Sequence, residues 1–421
     1  SAMTNFGLTI WAYEKTGQAT ALALIVFFWS TPLILLSPVA GAIVDRSNRR
    51  LMMMLSDLAA GAVTIVQLLL YISGHLEIWH LYVTAAVAGT FATFQWPAFS
   101  AAMSLMLPKE QYGRANGLMQ LADSASGIFA PLLAGALLSV IGLAGIMAVD
   151  VVSFVFAIGA LLVIHVPQPT RSAAGLAGQG NLWQESLYGF RHILARRGLL
   201  GLQLVFLWGN LFSSLGLVLL PATILARTGN DELALGSVQS AGSVGGIVGG
   251  LAMSAWGGFR RRVHGVLGGW IVASLLGQGL LGLGQALPVW LVGSLFLGFF
   301  SPLINASNQA IWQAKVEADV QGRVFAARRA IAWLITPVAQ LAAGPLADRL
   351  FEPAMQPGGA LAGTFGWLVG TGNGAGMGLI LLLTGLAAAL GGLAGYAVHA
   401  VRNVEEILPD HDALAGQADV P

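Results

Sequence analysis

Gly41-Ala-Ile-Val-Asp45-Arg46-Ser-Asn48-Arg49-Arg50 is a basic stretch set between two long apolar runs. The run before it, Ala21 to Val44, carries no charge, and the run after it, Leu51 to Ser73, carries only Asp57. Each exceeds the roughly 20 residues that a helix needs to cross about 30 Å of hydrocarbon. The stretch therefore reads as a short turn joining two membrane helices, on the side of the bilayer where arginines are retained. Asn tolerates the left-handed backbone better than other residues, so a turn can run through Asn48 in that conformation.

The composition agrees. Hydrophobic residues make up 56% of the chain, charged residues 9%, and 55 of 421 residues are Gly. That balance belongs to a polytopic helical membrane protein and is foreign to a soluble domain. A net charge of +1 says nothing about partners. The absence of Cys excludes disulfide scaffolds, thiolate metal sites and cysteine nucleophiles.

Apolar segments long enough to span lie near 20–44, 51–73, 79–107, 115–140, 143–166, 199–225, 234–256, 264–286, 288–313, 324–346 and 376–400, and a shorter one opens the chain at 1–13. If that first segment is the outer half of a helix, the connectors alternate sides. Of the 20 basic residues, only Lys15, Arg227 and Arg349 then fall on one side. The other side is therefore cytoplasmic and holds the C-terminal tail.

The chain also repeats itself. At an offset of 212, Lys15-Thr-Gly17 matches Arg227-Thr-Gly229 and Arg49-Arg50 matches Arg261-Arg262; at an offset of 209, Gly89, Phe91, Ala101, Glu110, Gly113, Arg114 and Gly135 match Gly298, Phe300, Ala310, Asp319, Gly322, Arg323 and Gly344. Two parallel six-helix bundles are the economical reading: an N-terminal bundle at 1–166, a cytoplasmic linker at 167–198, a C-terminal bundle at 199–400 and a tail at 401–421. Ser1 maps onto Ser213, midway along its helix, so the first of twelve helices is expected to be truncated at its N-terminus. Within the linker, Leu182, Leu187, Phe190 and Leu194 are spaced to lie along one side of an amphipathic surface helix.

The opening stretch resembles the loop signature of the major facilitator superfamily of secondary transporters: Gly, three residues, Asp-Arg, one residue, Gly-Arg-Arg or Lys. It departs from that pattern at Asn48. A carboxylate at Asp45, at the C-terminus of a helix, faces the negative end of the dipole and needs compensation from Arg46, Arg49, Arg50 or the N-terminus of another helix. The resemblance implies that the start of helix eleven, Gln321-Gly322-Arg323, supplies it as a latch, with Gly41 permitting close approach; topology determination alone is the alternative for these arginines. Gly257-Gly258-Phe-Arg260-Arg261-Arg262 of the second half lacks an acid. In helix five, Gly127-Ile-Phe-Ala130-Pro131-Leu-Leu-Ala134-Gly135 looks like the Gly/Pro motif of antiporter members, with Pro131 kinking the helix; plain packing is the other reading. Arg114-Ala-Asn-Gly117, Phe94-Gln95-Trp-Pro97-Ala98 and Gly344-Pro345-Leu-Ala-Asp348-Arg349 are similar to the macrolide-efflux type of drug:proton antiporters.

Carboxylates at membrane depth are costly and are functional candidates by default. Asp123 lies nine residues past Arg114, about 13 Å along a helix and near mid-membrane, and is the first choice for carrying the proton. Asp57 lies only about 10 Å deep and alternatively pairs with the loop arginines. Asp150, near the outer end of helix six, alternatively caps or bridges. The family's cavity implies helices one, four, seven and ten as its lining. Asn5, Gln95, Trp96, Asn210, Phe212, Asn305, Asn308, Gln309 and Trp312 are at suitable depth for binding an amphiphilic small molecule. Arg328 and Arg329 are expected to anchor at the headgroups rather than to bind an anion.

Gly277-Gln-Gly279-Leu-Leu-Gly282 has dinucleotide spacing but no preceding strand, and His75, Glu77 and His80 read as interfacial residues rather than a metal site. No Gly-Lys-Ser/Thr phosphate loop is present, which argues against an ATP-driven pump. The expectation is a non-enzymatic, proton-coupled exporter in the cell membrane, with no nucleic-acid partner, cofactor or metal, acting as a monomer among membrane lipids. A lipid or lysolipid translocator of the same fold and a non-transporting membrane receptor or sensor are the rival readings.

Overall fold

The computed structural model describes residues 1–106, 112–163, 182–316 and 321–409, with the backbone alone at several positions, including 41, 45, 46, 96, 112–124, 182–188 and 321–323. Among the described residues the chain is helical and contains no strand. The helices are α1 (Ala2–Thr16), α2 (Ala19–Arg46), α3 (Arg49–Ile72), α4 (Ile78–Met106), α5 (Tyr112–Val163), α6 (Leu182–Ala195), α7 (Arg197–Leu217), α8 (Leu220–Thr228) and α9 (Glu232–Trp256). Then follow α10 (Arg262–Val272), continued by a π-turn over Ala273–Gly279 into α11 (Leu280–Leu283), α12 (Leu287–Lys315), α13 (Gln321–Leu334) and α14 (Thr336–Leu346). A second π-turn, Ala347–Phe351, leads to α15 (Glu352–Met355), α16 (Ala362–Val369), α17 (Ala375–Ala397), α18 (His399–Arg402) and α19 (Val404–Ile407). Eight described helical stretches are long and apolar enough to cross a membrane. Their exposed faces carry large apolar side chains such as Val140, Phe156 and Val163, as lipid-facing surfaces do.

Local chemistry sets the breaks. Within α5 the backbone leaves helical geometry at Gly142, whose φ of 65° and ψ of 178° only glycine adopts readily, and this residue falls between the expected spans 115–140 and 143–166. Between α2 and α3 the structure corrects one expectation. Asn48 is not left-handed: with φ at −70° it is the N-cap of α3, and its side chain accepts a hydrogen bond from the Leu51 amide at 3.1 Å. The replacement of glycine thus supplies a cap. Of the expected stripe on α6, the side chains of Leu182 and Leu187 lie outside the described residues; Phe190 packs against the core, but Leu194 is exposed and Ile193 is the residue fully buried in the last turn.

The contacts divide the chain into two compact units. Unit 1 comprises Ser1–Arg171, Pro221–Ser240 and Gln340–Leu350; unit 2 comprises Ser172–Leu220, Ala241–Ala339 and Phe351–Pro421. In unit 1, α2 packs on α4, and α3 packs on both α4 and α5. A side-chain carbon added at Gly89 of α4 would collide with the Trp29 carbonyl of α2. In unit 2 its repeat partner Gly298, on α12, makes the same kind of approach to the Gly242 carbonyl of α9. In hydrocarbon, where apolar burial gains nothing over lipid, such small-residue contacts let helices approach closely enough for dispersion and polar contacts to hold them. The core of unit 2 gathers Leu202, Phe206, Val266, Leu267, Trp270, Ile304, Ile311 and Trp312.

The segments 221–240 and 340–350 have their places within unit 1. A carbon added at Gly135 of α5 would fall 2.9 Å from the Glu232 carbonyl oxygen, and one added at Gly236 would fall 2.6 Å from the carbonyl oxygen of Pro131. Ser240 donates to the Ile128 carbonyl at 2.7 Å, and Ser30 donates to Gln340 at 2.7 Å.

Candidate functional site

Unit 2 contains a cavity of about 650 Å³, lined from α7 by Gln203, Phe206, Asn210 and Ser213 and from α12 by Ser294, Ser301, Asn305, Asn308 and Gln309. Phe325, Arg328, Arg329, Ala332 and Trp333 of α13 and Trp270 of α10 complete much of the wall. Four of the sequence-selected residues, Asn210, Asn305, Asn308 and Gln309, are brought together here.

Amides fasten α7 to α13. The buried Gln203 side chain donates to the Arg328 carbonyl at 3.0 Å, and Asn210, two turns further along α7, donates to the Ala332 carbonyl at 3.1 Å. The second bond lies just before the break at Ile335, next to Pro337, which lacks a backbone donor. Interhelical bonds of this kind fix the rotation of α13 and so the direction of the side chains that it carries. Arg328, on that helix, donates from Nη1 to Gln309 Oε1 at 2.8 Å, and its guanidinium lies 5.4 Å from the Trp312 ring centroid and 5.7 Å from that of Phe325. It is a cavity-lining group, which corrects the expectation that it anchors at the headgroups; Arg329 also lines the cavity and is exposed.

Two selected residues stand apart from the lining. Trp312 is fully buried in the core, where its indole donates to Asn308 Oδ1 at 3.0 Å. Phe212 packs its ring on Trp208, and its carbonyl accepts from Gln278 at 3.3 Å.

In unit 1, Asp57 of α3 accepts a 3.1 Å hydrogen bond from Gln95 of α4, while the other amide atom of Gln95, Oε1, is buried with no partner among the described residues. The described partner of Asp57 is thus an amide of the neighbouring helix. Asp150 is buried and accepts from Thr4 of α1 at 2.9 Å and from the Ser1 amino group, joining α1 to the second part of α5. Arg50 donates to the Leu161 and Leu162 carbonyls at 2.7 and 2.6 Å, occupying orphan acceptors near the C-terminus of α5 as a cation there favours. Asn5 is exposed on α1. Pro131 lies inside α5, with its carbonyl against Gly236. The side chains of Asp123, Trp96, Asp45, Arg46 and Arg323, with the surroundings of Gly41 and Gly322, lie outside the described residues.

The acid missing from the second-half loop comes from the tail. Glu405 accepts from the Val263 amide at the start of α10 at 3.0 Å, and Glu406 pairs with Arg261.

The residues missed by sequence selection carried a signal. Ser294 and Ser301, which were missed, recur at helical spacing with the selected Asn305 and Asn308 along α12, a polar stripe that marks its cavity face. Gln203 and Asn210 form the corresponding pair on α7.

Comparison with known proteins bears on this arrangement. The chain is 25% identical over 359 residues to macrolide efflux protein A of Streptococcus pyogenes, covering 83% of this chain and 86% of that one. It is 29% identical over 363 residues to the multidrug efflux pump Tap of Mycolicibacterium fortuitum, covering 81% and 85%. The crystal structure of the nucleoside transporter NupG superposes with a TM-score of 0.70 at 10% identity over 93% of this chain and 95% of that one, a likeness of fold. Residues 1–337 match the model of the Major Facilitator Superfamily, and the chain, a multi-pass membrane transporter rather than an enzyme, belongs to that family.

Proposed function

We propose that the protein exports bulky amphiphilic small molecules, of the drug or natural-product kind that includes macrolides, by proton antiport with alternating access. The observation that carries this reading is the unit 2 cavity, large enough for a drug-sized ligand and walled by aromatic rings interspersed with Gln203, Asn210, Asn305 and Gln309. The efflux names of the relatives favour export over uptake. Asp123 is assigned the coupling proton, with Asp57 and Asp150 as secondary carboxylates, because a carboxylate at membrane depth exchanges its proton according to which side water reaches it from. The reading takes the Asp45 loop and Gly322-Arg323 as a cytoplasmic latch and the C-terminus as lying on the cytoplasmic side of a bacterial cell membrane. It takes the transporter to work as a monomer.

Inside-out vesicles containing the protein test it. Imposing an acidic interior is expected to drive uptake of a fluorescent macrolide or dye, a protonophore to abolish that uptake, and Asp123→Asn to remove it at unchanged expression. Gradient-driven uptake undiminished in Asp123→Asn removes that residue from the mechanism. Uptake indifferent to protonophore overturns antiport, and stimulation by lysolipid alone favours a lipid translocator.

A further inference from the structure

We infer that the unit 2 cavity recognises an anionic head group, a carboxylate or phosphate, on Arg328, so that anionic amphiphiles are among the exported substrates; this rests on the export reading and extends its substrate class. Among the described residues, the side-chain acceptor for Arg328 is the neutral Gln309 Oε1, which takes one of the five guanidinium N–H groups. No Asp or Glu is among the described residues that line the cavity, whereas Arg329 adds a second positive charge beside Arg328.

Arg328 is half-buried, and a guanidinium drawn partly out of water without a carboxylate beside it favours a compensating anion in the cavity. Among the described residues its charge is held in place without neutralisation. The guanidinium lies over the Trp312 and Phe325 rings, Gln309 takes one N–H, and the Gln203 bond to the Arg328 carbonyl fixes the helical turn beneath it. The remaining donors form the planar fork that matches two oxygens of a carboxylate or phosphate. Gln309 is aligned to assist. With Oε1 turned to Arg328, its Nε2 is the amide group left to donate to a ligand oxygen. Phe206, Trp270 and Trp333, from three helices of the same wall, offer apolar area for the rest of an amphiphile.

Purified protein in phosphatidylcholine nanodiscs tests the inference by energy transfer from tryptophan to a dansyl-tagged dodecanoate, its methyl ester and a dansyl-tagged dodecyl phosphate, with empty nanodiscs as the partition control. At least one anion is expected to bind roughly tenfold more tightly than the ester. The tighter of the two anions identifies the head group. Arg328→Gln is expected to bind all three probes alike, and Arg328→Lys to keep a reduced preference, since an ammonium lacks the fork. Equal binding by the wild type overturns the inference without any variant, as does a preference that survives Arg328→Gln. Should Arg328→Gln fail to give a monodisperse protein, an undiminished preference in Arg328→Lys overturns it and a reduced one supports it. No gradient is applied, so failure of proton-driven export leaves this result standing, and loss of the anion preference leaves export standing.

Discussion

Asp348 caps α2 at Thr20. Its carboxylate accepts from the Thr20 amide at 2.8 Å and from the Ala19 amide at 3.0 Å, whereas Gln18, the residue at the N-cap position, provides no side-chain bond. The first amides of a helix have no intrahelical acceptor, and the positive end of the dipole attracts a carboxylate. By contrast α9 caps itself, through Asp231 Oδ1 and the Ala234 amide at 2.9 Å. The start of α2 therefore depends on a side chain more than 300 positions away in the sequence.

Asp348→Ala is expected to lower stability by about 1 kcal/mol, the usual worth of an N-cap, and Asp348→Asn by less, because the amide oxygen still accepts while the charge against the dipole is lost. Thermal unfolding in detergent checks the order wild type, Asn, Ala; an Asn variant below the Ala variant contradicts the capping account. Because the chain has no Cys, a single Ala23→Cys probe one turn inside α2 reports the same contact. Its labelling by a membrane-impermeant maleimide is expected to quicken in the Asp348→Ala background.

Gly135 and Gly344 are partners in the internal repeat and have corresponding neighbours in unit 1. Gly135 approaches Glu232 and Gly344 approaches Thr20, and these two stand equally far beyond the matched residues Arg227 and Lys15. A Cβ at Gly344 would collide with Thr20 Cα, so Gly344→Val must move backbone. Gly344→Val and Gly135→Val are both expected to reduce transport severely while the protein still inserts. Gly142→Ala meets open space but must hold a φ of 65° with a ψ of 178°, a region essentially confined to glycine, at a cost of about 1–3 kcal/mol. Vesicle flux normalised to membrane protein separates these cases, and normal flux in Gly344→Val defeats the packing argument.

The helices were legible in the sequence because hydropathy over a membrane-length window is a one-dimensional property; even the break at Gly142 fell between two expected spans. Contacts between helices were not, since spacing along the chain does not say which neighbour a polar atom will meet. Asn210 and Gln309 were found from depth alone, but Trp312, chosen by the same rule, lies in the core. Arg328 was misassigned because its distance from the span boundary suits a headgroup anchor as well as a cavity wall; the rotation of α13, set by Gln203 and Asn210, decides between them. Asn48 was misjudged through its family position, although Asn before a helix is equally a cap signal.

Asn308 has a structural claim on its side-chain oxygen, which accepts from the buried Trp312 indole at 3.0 Å. Asn308→Leu would leave that donor unsatisfied, at a cost of about 1–3 kcal/mol. Trp312→Phe in the same chain removes the orphaned donor, so the double variant is expected to be more stable than the sum of the single losses predicts. A double-mutant cycle on thermal unfolding measures this coupling, and strict additivity would show that the bond contributes nothing.

Two acidic residues of the tail differ in what they hold. Glu406 meets Arg261 with both side chains exposed, a pair that solvent screening reduces to at most about 1 kcal/mol. Glu405 instead accepts from the Val263 amide in the first turn of α10, and its own carbonyl, with that of Leu408, accepts from the Lys315 ammonium. It thus joins the start of α10 to the end of α12, with Val404 fully buried beside it. Glu405→Ala is expected to cost about 1 kcal/mol as a lost cap, Glu406→Ala less, and a stop after Arg402 more than both, since Val404 and the two carbonyl acceptors leave with it. Hydrogen exchange at the first turn of α10 should rise in Glu405→Ala and stay near wild type in Glu406→Ala. The reverse order would mean that the surface pair, rather than the cap, holds the tail in place.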